Sequence, residues 1–177
     1  MYHDGVAEYA QRWLDCSSRG EETSILISPW VYLLCSHGDS FVYNIENDFL
    51  NRDTLVEWAK WLIGQDPTGE ASSLVDFGQP RQGDQSWSKM MPKKVWISAG
   101  SHEIFLGDIT RLVESLKADG VLVDFDVAKG RCHTWQQVED NLQSQKYFKT
   151  TDSVLPGYMM GGAANIASGI LAMVKKN

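Results

Sequence analysis

Three short, nearly continuous apolar segments limit this chain to few possible folds. They are SILISPW at residues 24–30, KKVWISAG at residues 93–100 and VLVDFDVA at residues 121–128. Short apolar runs bounded by turn-forming residues are typical of strands that are buried on both faces. Stretches with helical periodicity separate them, and strands that alternate with helices form parallel sheets. The sequence therefore predicts an α/β fold with about three parallel strands.

The segments around these strands divide into helices and irregular chain. Apolar residues spaced three and four apart indicate helices, and Asp53 is predicted to cap one helix that ends at Gly64. Clusters of Gly, Pro, Asn and Ser indicate turns and loops instead. We expect helices at residues 5–16, 54–64, 108–119, 134–148 and 156–175, and irregular chain at residues 31–52 and 65–91.

Length and charge bound the number of domains and the kind of partner. A chain of 177 residues fits one domain, so residues 1–177 are predicted to form a single domain. The 16 basic and 23 acidic residues give a net charge of -7, whereas nucleic-acid binding requires a basic stripe. The most apolar segment, residues 155–174, contains glycines and a proline and fits a terminal helix. We therefore expect neither a nucleic-acid partner nor a membrane span.

The cysteines and the first residues indicate a compartment. Cys16, Cys35 and Cys132 are odd in number, widely spaced and form no CxxC pair, which argues against a disulfide scaffold or a zinc ribbon. A reducing compartment fits such usage. Residues 1–10 lack the basic and apolar regions of a signal peptide. The sequence thus predicts a cytoplasmic protein, with no metal site and no nucleotide or other cofactor implied.

Two polar side chains follow two of the predicted strands. Glu103 comes after VWISAG, and His133 comes after VDFDVA. The carboxyl ends of parallel strands lie at one edge of a sheet, where functional groups collect. A carboxylate bonded to a histidine fixes its tautomer and stabilises the imidazolium. The sequence predicts an acid–base pair of Glu103 and His133, and the alternative is that both are ordinary surface or core side chains.

In its order of motifs, the chain resembles the carboxy-terminal half of the α/β-hydrolase family, in the branch related to hormone-sensitive lipase. Each motif is weak by itself, but together they follow the family's order over about residues 5–150. The matching motifs are ILISPW, Ser40-x3-Asn44-x3-Asp48, Leu55-x2-Trp58-Ala59, VWISAGSHEIFLGDI, Gly120-Val121 and GRCHTW.

This resemblance implies roles for particular residues. It matches Glu103 to the acid and His133 to the histidine of a catalytic triad, and residues 31–91 to part of a variable substrate cap. His3 falls near the position of the nucleophile and is a candidate for substrate binding. Trp30, at the end of the segment SILISPW, is a second substrate-binding candidate, and the alternative for Trp30 is an ordinary core residue.

Two motifs of that family do not occur in the 177 residues. They are the nucleophile elbow G-x-S-x-G and the HGG loop of the oxyanion hole. Without them a serine hydrolase lacks its attacking atom and its main electrostatic stabiliser. The expected fold is therefore a truncated α/β-hydrolase-like parallel sheet flanked by helices, with a remnant cap and a bare apolar edge at SILI.

The leading functional hypothesis is an enzyme without a serine nucleophile. His133, oriented by Glu103, would perform acid–base chemistry on an apolar small molecule, because isomerisation, dehydration or cyclisation need only such a pair in a shaped pocket. A role in specialised-metabolite biosynthesis would fit. The alternatives are a non-catalytic binding or partner subunit, and one half of a split serine esterase. A homodimer or a complementary chain is expected to cover the bare edge.

Overall fold

The described part of the chain is built around a three-stranded parallel sheet. The residues that the computed structural model describes are 23–33, 38–63, 76–149 and 160–175. In spatial order the strands are β1 (Thr23–Ile27), β2 (Lys94–Gly100) and β3 (Leu122–Ala128). Both strand pairings are parallel. The three apolar segments are therefore the three strands, and the predicted α/β fold with a parallel sheet is confirmed.

Helices connect and flank these strands. Three of the predicted helices match within two residues at either end, and none of the helices in the described ranges is long and apolar enough to cross a membrane. The predicted helix at 5–16 and the first residues of the last predicted helix, 156–159, lie outside the described residues. The helices are α1 (Asp39–Asn44), α2 (Arg52–Ile63), α3 (Trp87–Met90), α4 (Leu106–Ala118), α5 (Trp135–Lys149) and α6 (Gly161–Lys175).

Some details of these helices differ from the sequence-based expectation. The stretches 31–52 and 65–91, both predicted to be irregular, contain the short helices α1 and α3, and Gly83–Gln85 in the second stretch form a 3-10 turn. The cap of α2 is Asn51 rather than Asp53, because Asn51 Oδ1 accepts the backbone N–H of Asp53 at 2.8 Å and that of Thr54 at 3.3 Å. Asp53 instead lies in the first turn, where its negative charge suits the helix dipole.

The hydrophobic core lies between the sheet and α4. One face of α4 is apolar, as its periodicity predicts, and packs against buried side chains of the central strand β2. Gly120, at φ 85°, ends this helix as predicted and turns the chain into β3. The main contributors to the core are Val95, Ile97 and Ala99 from β2, and Ile109, Leu112, Val113 and Leu116 from α4.

Helices cover the opposite face of the sheet as well. Trp96 of β2 is buried there, and α6 crosses it so closely at Gly169 that a Cβ atom at this position would overlap the indole ring. The helical part of region 31–91 joins the first core, since Phe41 of α1 and Leu55 of α2 are buried in it. The sheet is thus held between two layers, and its carboxyl edge meets α1.

Candidate active site

A glutamate and a histidine meet at the carboxyl edge of the sheet. Glu103 lies in the turn that follows β2, and His133 lies in the loop that follows β3. His133 Nδ1 is 2.7 Å from Glu103 Oε1. The Glu103 side chain is 0% exposed, whereas that of His133 is 16% exposed. The two residues that the sequence paired are therefore hydrogen-bonded, with the carboxylate enclosed and the imidazole open on one side.

The second carboxylate oxygen of Glu103 also has partners. Glu103 Oε2 accepts the Ser28 hydroxyl at 2.9 Å and the Gly100 backbone N–H at 3.0 Å. A buried carboxylate without donors is costly, and these hydrogen bonds offset that cost. Because an ionised carboxylate only accepts, Nδ1 carries the proton in the neutral ring, and Nε2 presents its lone pair for proton exchange.

Glycine at the end of β2 allows the two loops to approach. A Cβ atom at Gly100 would lie only 2.6 Å from Cys132 O and 2.5 Å from the carbonyl carbon of Arg131. The backbone N–H of His102 donates to Arg131 O at 2.9 Å across the same contact. The absence of a side chain at Gly100 thus allows the histidine loop to come within reach of Glu103.

Asp48 joins the two loops from the outside. Its Oδ2 accepts the backbone N–H of Ile104 at 2.9 Å, and its Oδ1 accepts that of His133 at 3.4 Å. A single carboxylate therefore contacts the main chain beside the acid and the main chain of the histidine itself. The bond to Ile104 has an ordinary length, whereas the contact with the His133 N–H is long, so Asp48 is held on the acid turn and adds only a weak contact with the histidine loop.

Helix α1 contacts the acid turn through two further side chains. Ser40 Oγ accepts the Gly107 backbone N–H at 2.8 Å and donates to Ile104 O at 3.0 Å. Asn44 Nδ2 donates to Glu103 O at 3.0 Å. Side chains four residues apart lie on one face of a helix, so the spacing of Ser40 and Asn44 directs both at the turn. The region likened to a cap is therefore bonded to the backbone that carries the acid.

Aromatic side chains surround the imidazole. Phe105 and Phe49 both meet the His133 ring edge-on, with ring centroids 5.4 Å and 5.8 Å away. Trp30 stacks on Phe105 with centroids 5.9 Å apart and donates its indole N–H to Tyr32 O. Trp30 thus supports a ring that touches the histidine, and its contact with substrate stays a prediction. Phe49 is 59% exposed and adds apolar surface beside the imidazole.

Two further side chains that could act in catalysis, His102 and Cys132, adjoin the residues of this pair in sequence. His3 lies outside the described residues, so its predicted role in substrate binding is not tested. His102 is exposed beside Glu103. Burial raises the pKa of the Cys132 thiol, and the nearby carboxylate of Asp48 adds to the effect, so the thiol is not an activated nucleophile. Within the described ranges, no group of three or more His, Cys, Asp or Glu side chains could hold a metal ion.

The site includes residues to which sequence reasoning gave no role. Ser28 contacts Glu103 from the end of β1, and Asp48 contacts both loops. The available signals were the position of Ser28 at a strand end and the regular spacing of the Ser40-x3-Asn44-x3-Asp48 motif. Neither signal indicates which backbone groups these side chains reach, because the partners lie more than 50 residues away in sequence.

Solved structures of esterases share this architecture. A structure described as an esterase/lipase from an uncultured bacterium matches with a TM-score of 0.57 and 23% identity, over 92% of this chain and 47% of that chain. EstE5 soaked with ethyl alcohol matches with a TM-score of 0.58 and 22% identity, over 86% and 43%. An esterase from the bacterial hormone-sensitive lipase family matches with a TM-score of 0.52 and 25% identity, over 70% and 40%.

These matches establish the fold. The described sheet and helices are a three-stranded portion of the α/β-hydrolase fold, as the motifs predicted, and the chain spans less than half the length of the structures it matches. No protein-family model and no curated protein sequence matches the chain.

Proposed function

We propose that Glu103 and His133 are the acid and the histidine of an ester-hydrolysing site whose serine nucleophile is supplied by a segment outside these 177 residues. The observation that carries the proposal is the 2.7 Å hydrogen bond from the imidazole to a fully buried carboxylate. The likeness to structures described as esterases supports hydrolysis over isomerisation, dehydration or cyclisation. The proposal corresponds to the split-esterase alternative drawn from the sequence.

The chemistry follows from the two ring nitrogens of His133. Nδ1–H donates to Glu103, so Nε2 is the atom that takes the proton from an attacking hydroxyl. The ring then carries a positive charge, which the ionised carboxylate stabilises without itself taking the proton. The same Nε2–H subsequently protonates the leaving alcohol oxygen. Glu103 therefore orients and stabilises, and His133 moves the proton.

The nucleophile-bearing segment is proposed to join the sheet at β1. In the described ranges no strand pairs with the outer edge of β1, and an apolar edge with unpaired backbone groups favours association with another strand. A strand that ends in G-x-S-x-G, added at this edge, would bring its serine to the carboxyl side where His133 lies. A second copy of this chain at the same edge is the alternative occupant.

The second candidate function is the one that the sequence put first, namely acid–base chemistry by the pair alone. The observation in its favour is that neither G-x-S-x-G nor HGG occurs among the 177 residues. Either function would suit an apolar substrate, since Phe49 and Phe105 flank the imidazole. Trp30 and His3 are proposed as further substrate contacts.

Reconstitution tests the proposal. The chain is produced alone and together with polypeptides from adjoining coding sequence that carry HGG and G-x-S-x-G, and hydrolysis of a short-chain nitrophenyl ester is measured. We expect no hydrolysis above the buffer rate by the chain alone, no labelling of it by a fluorophosphonate, and activity in the mixture. Stoichiometric fluorophosphonate labelling of a serine in the chain alone would contradict the proposed division.

Variants of the reconstituted enzyme then test the two roles. His133→Ala should lower kcat by about 10²- to 10⁴-fold, the usual contribution of a general acid–base group. Glu103→Gln should lower it less, because the imidazole remains, and the double variant should resemble His133→Ala. The matched control is His102→Ala, which removes an exposed imidazole one residue from the acid and should leave kcat unchanged. Wild-type turnover in both single variants would refute the proposal.

A further inference from the structure

We infer that Ser28 is a positioning residue for this site: its hydroxyl holds the Glu103 carboxylate and the histidine loop in one arrangement. The inference rests on the proposed function for its effect on rate, but its structural content is independent of any reaction. Ser28 follows β1 directly, so it lies at the carboxyl edge beside the turns after β2 and β3.

The hydroxyl of Ser28 uses both its donor and its acceptor on the site. It donates to Glu103 Oε2 at 2.9 Å, and it accepts the backbone N–H of Thr134 at 2.9 Å. Thr134 is the residue directly after His133. One hydroxyl thus ties the carboxylate to the main chain of the histidine loop, which orients Oε1 toward Nδ1.

The backbone at this contact is strained on both sides. Ser28 has φ 46° and Thr134 has φ 45°, a conformation that costs most residues energy and that costs a β-branched threonine more. Ser28 also precedes Pro29, which further restricts its backbone. Two unfavourable residues bonded to each other persist only where the surrounding structure requires them, and such strain concentrates at functional sites.

Two simpler roles for Ser28 do not fit these contacts. A nucleophile needs an accessible oxygen next to a base, but Ser28 is 3% exposed and its hydroxyl donates to the carboxylate rather than to the imidazole. A serine with a purely structural role in the core would hydrogen-bond to backbone groups close to it in sequence. The partners of Ser28 are instead 75 and 106 residues away. The hydroxyl therefore connects the three strand ends.

Proton NMR of the 177-residue chain tests the inference without a substrate. The Nδ1–H of His133, bonded to a carboxylate, should give a far-downfield resonance, assigned by its absence from His133→Ala. We expect Ser28→Ala to lose this resonance or move it upfield and to speed hydrogen exchange at the Thr134 N–H. The matched control is Ser115→Ala, because Ser115 is similarly buried and both accepts and donates a hydrogen bond away from the site.

A second variant separates the hydroxyl from the backbone. Ser28→Gly also lacks the hydroxyl but tolerates a positive φ, so it should lose the resonance as Ser28→Ala does, and it replaces that variant if alanine prevents folding. A wild-type resonance in Ser28→Gly or in Ser28→Ala would overturn the inference, as would absence of the resonance from the wild type.

Kinetics distinguish this inference from the proposed function. In the reconstituted enzyme, Ser28→Ala should lower kcat by roughly 10- to 100-fold with KM unchanged, because a misplaced proton acceptor affects the chemical step. If no mixture hydrolyses esters while the NMR effect is observed, the proposed function fails and the role of Ser28 stands. If esters are hydrolysed and Ser28→Ala retains both rate and resonance, the role of Ser28 fails alone.

Discussion

Substituting Gly100 by alanine should separate the acid from the histidine. The new Cβ would overlap the carbonyl oxygen of Arg131 and lie 2.5 Å from its carbonyl carbon, and ordinary contact begins at 3.4 Å, so the facing backbone must retreat by at least about 0.9 Å. That movement stretches the 2.9 Å bond from the His102 N–H to Arg131 O beyond the usual limit of about 3.2 Å. His133 follows two residues later, so its bond to Glu103 lengthens too.

The cost of this substitution follows from two contributions. Overpacking a close contact costs about 1–3 kcal/mol, and losing a hydrogen bond costs about 0.5–1.5 kcal/mol. Gly100→Ala should therefore lower the free energy of unfolding by about 1.5–4.5 kcal/mol, measured by urea denaturation. In the folded protein, the Nδ1–H resonance of His133 should move upfield. The control is Gly161→Ala, where the Cβ would meet open space and stability should change by less than about 0.5 kcal/mol.

The reasoning about loop approach would be refuted by a specific result. If the free energy of unfolding of Gly100→Ala is within about 0.5 kcal/mol of the wild-type value and the His133 resonance is retained, the facing backbone moves without loss of stability. The hydrogen bond between Glu103 and His133 would then not depend on the absence of a side chain at Gly100. An effect on the resonance without an effect on stability would instead locate the adjustment in the loop that carries Arg131.

Four further outcomes follow from the structure. Asp48→Asn should lose about 1–3 kcal/mol of stability in urea, because an amide cannot accept both backbone N–H groups that the carboxylate accepts; the exposed Asp39→Asn is its control. Burial raises the pKa of the Cys132 thiol, so iodoacetamide should alkylate Cys132 more slowly at neutral pH than it alkylates a free cysteine, as peptide mass mapping can measure. The hydrogen bond from Ser86 lowers the pKa of Asp119, so this carboxylate stabilises the fold above about pH 4 and the stabilisation is lost as the pH falls through its lowered pKa. The stability difference between wild type and Ser86→Ala should accordingly shrink in acid, and a difference of constant size would contradict the assignment. Sedimentation at micromolar concentration should show that the chain associates either with itself or with a complementary chain. A chain that stays monomeric alone and binds no complementary chain would contradict the argument that the edge of β1 is uncovered.

The sheet could be predicted from the sequence because its strands are nearly continuous apolar runs, although only β2 is buried along its length and the outer strands β1 and β3 are partly exposed. Helix boundaries are harder to predict for a physical reason: Asn51 and Asp53 are both good capping residues two positions apart, and only the backbone geometry selects Asn51. Helix α1 was not predicted because Val42 and Tyr43 are exposed, so its six residues form no single apolar stripe. Long-range packing, rather than local pattern, stabilises this helix.

The candidate site, like the fold, could be predicted only in part. Glu103 and His133 could be paired from the sequence because strand topology alone brings the carboxyl ends of β2 and β3 together. The residues that hold the pair could not be identified, since serines and aspartates are common and nothing local indicates that Ser28 reaches a carboxylate 75 residues away. Contacts of this kind depend on side-chain direction at the edge of a formed sheet, which no sequence period encodes.

The hydrogen-bonded pair of Glu103 and His133 is held entirely by the part of the chain that the structure describes. Both oxygens of Glu103 have donors there, and the Ser28 hydroxyl bonds both the carboxylate and the backbone of the histidine loop. The orientation of the imidazole therefore requires nothing from a nucleophile-bearing segment. If such a segment joins at β1, it meets an ordered base, and its binding has to offset only the cost of association and of its own ordering. A preorganised pair of this kind should give the same His133 resonance before and after reconstitution, whereas a pair formed only on assembly would give it afterwards alone.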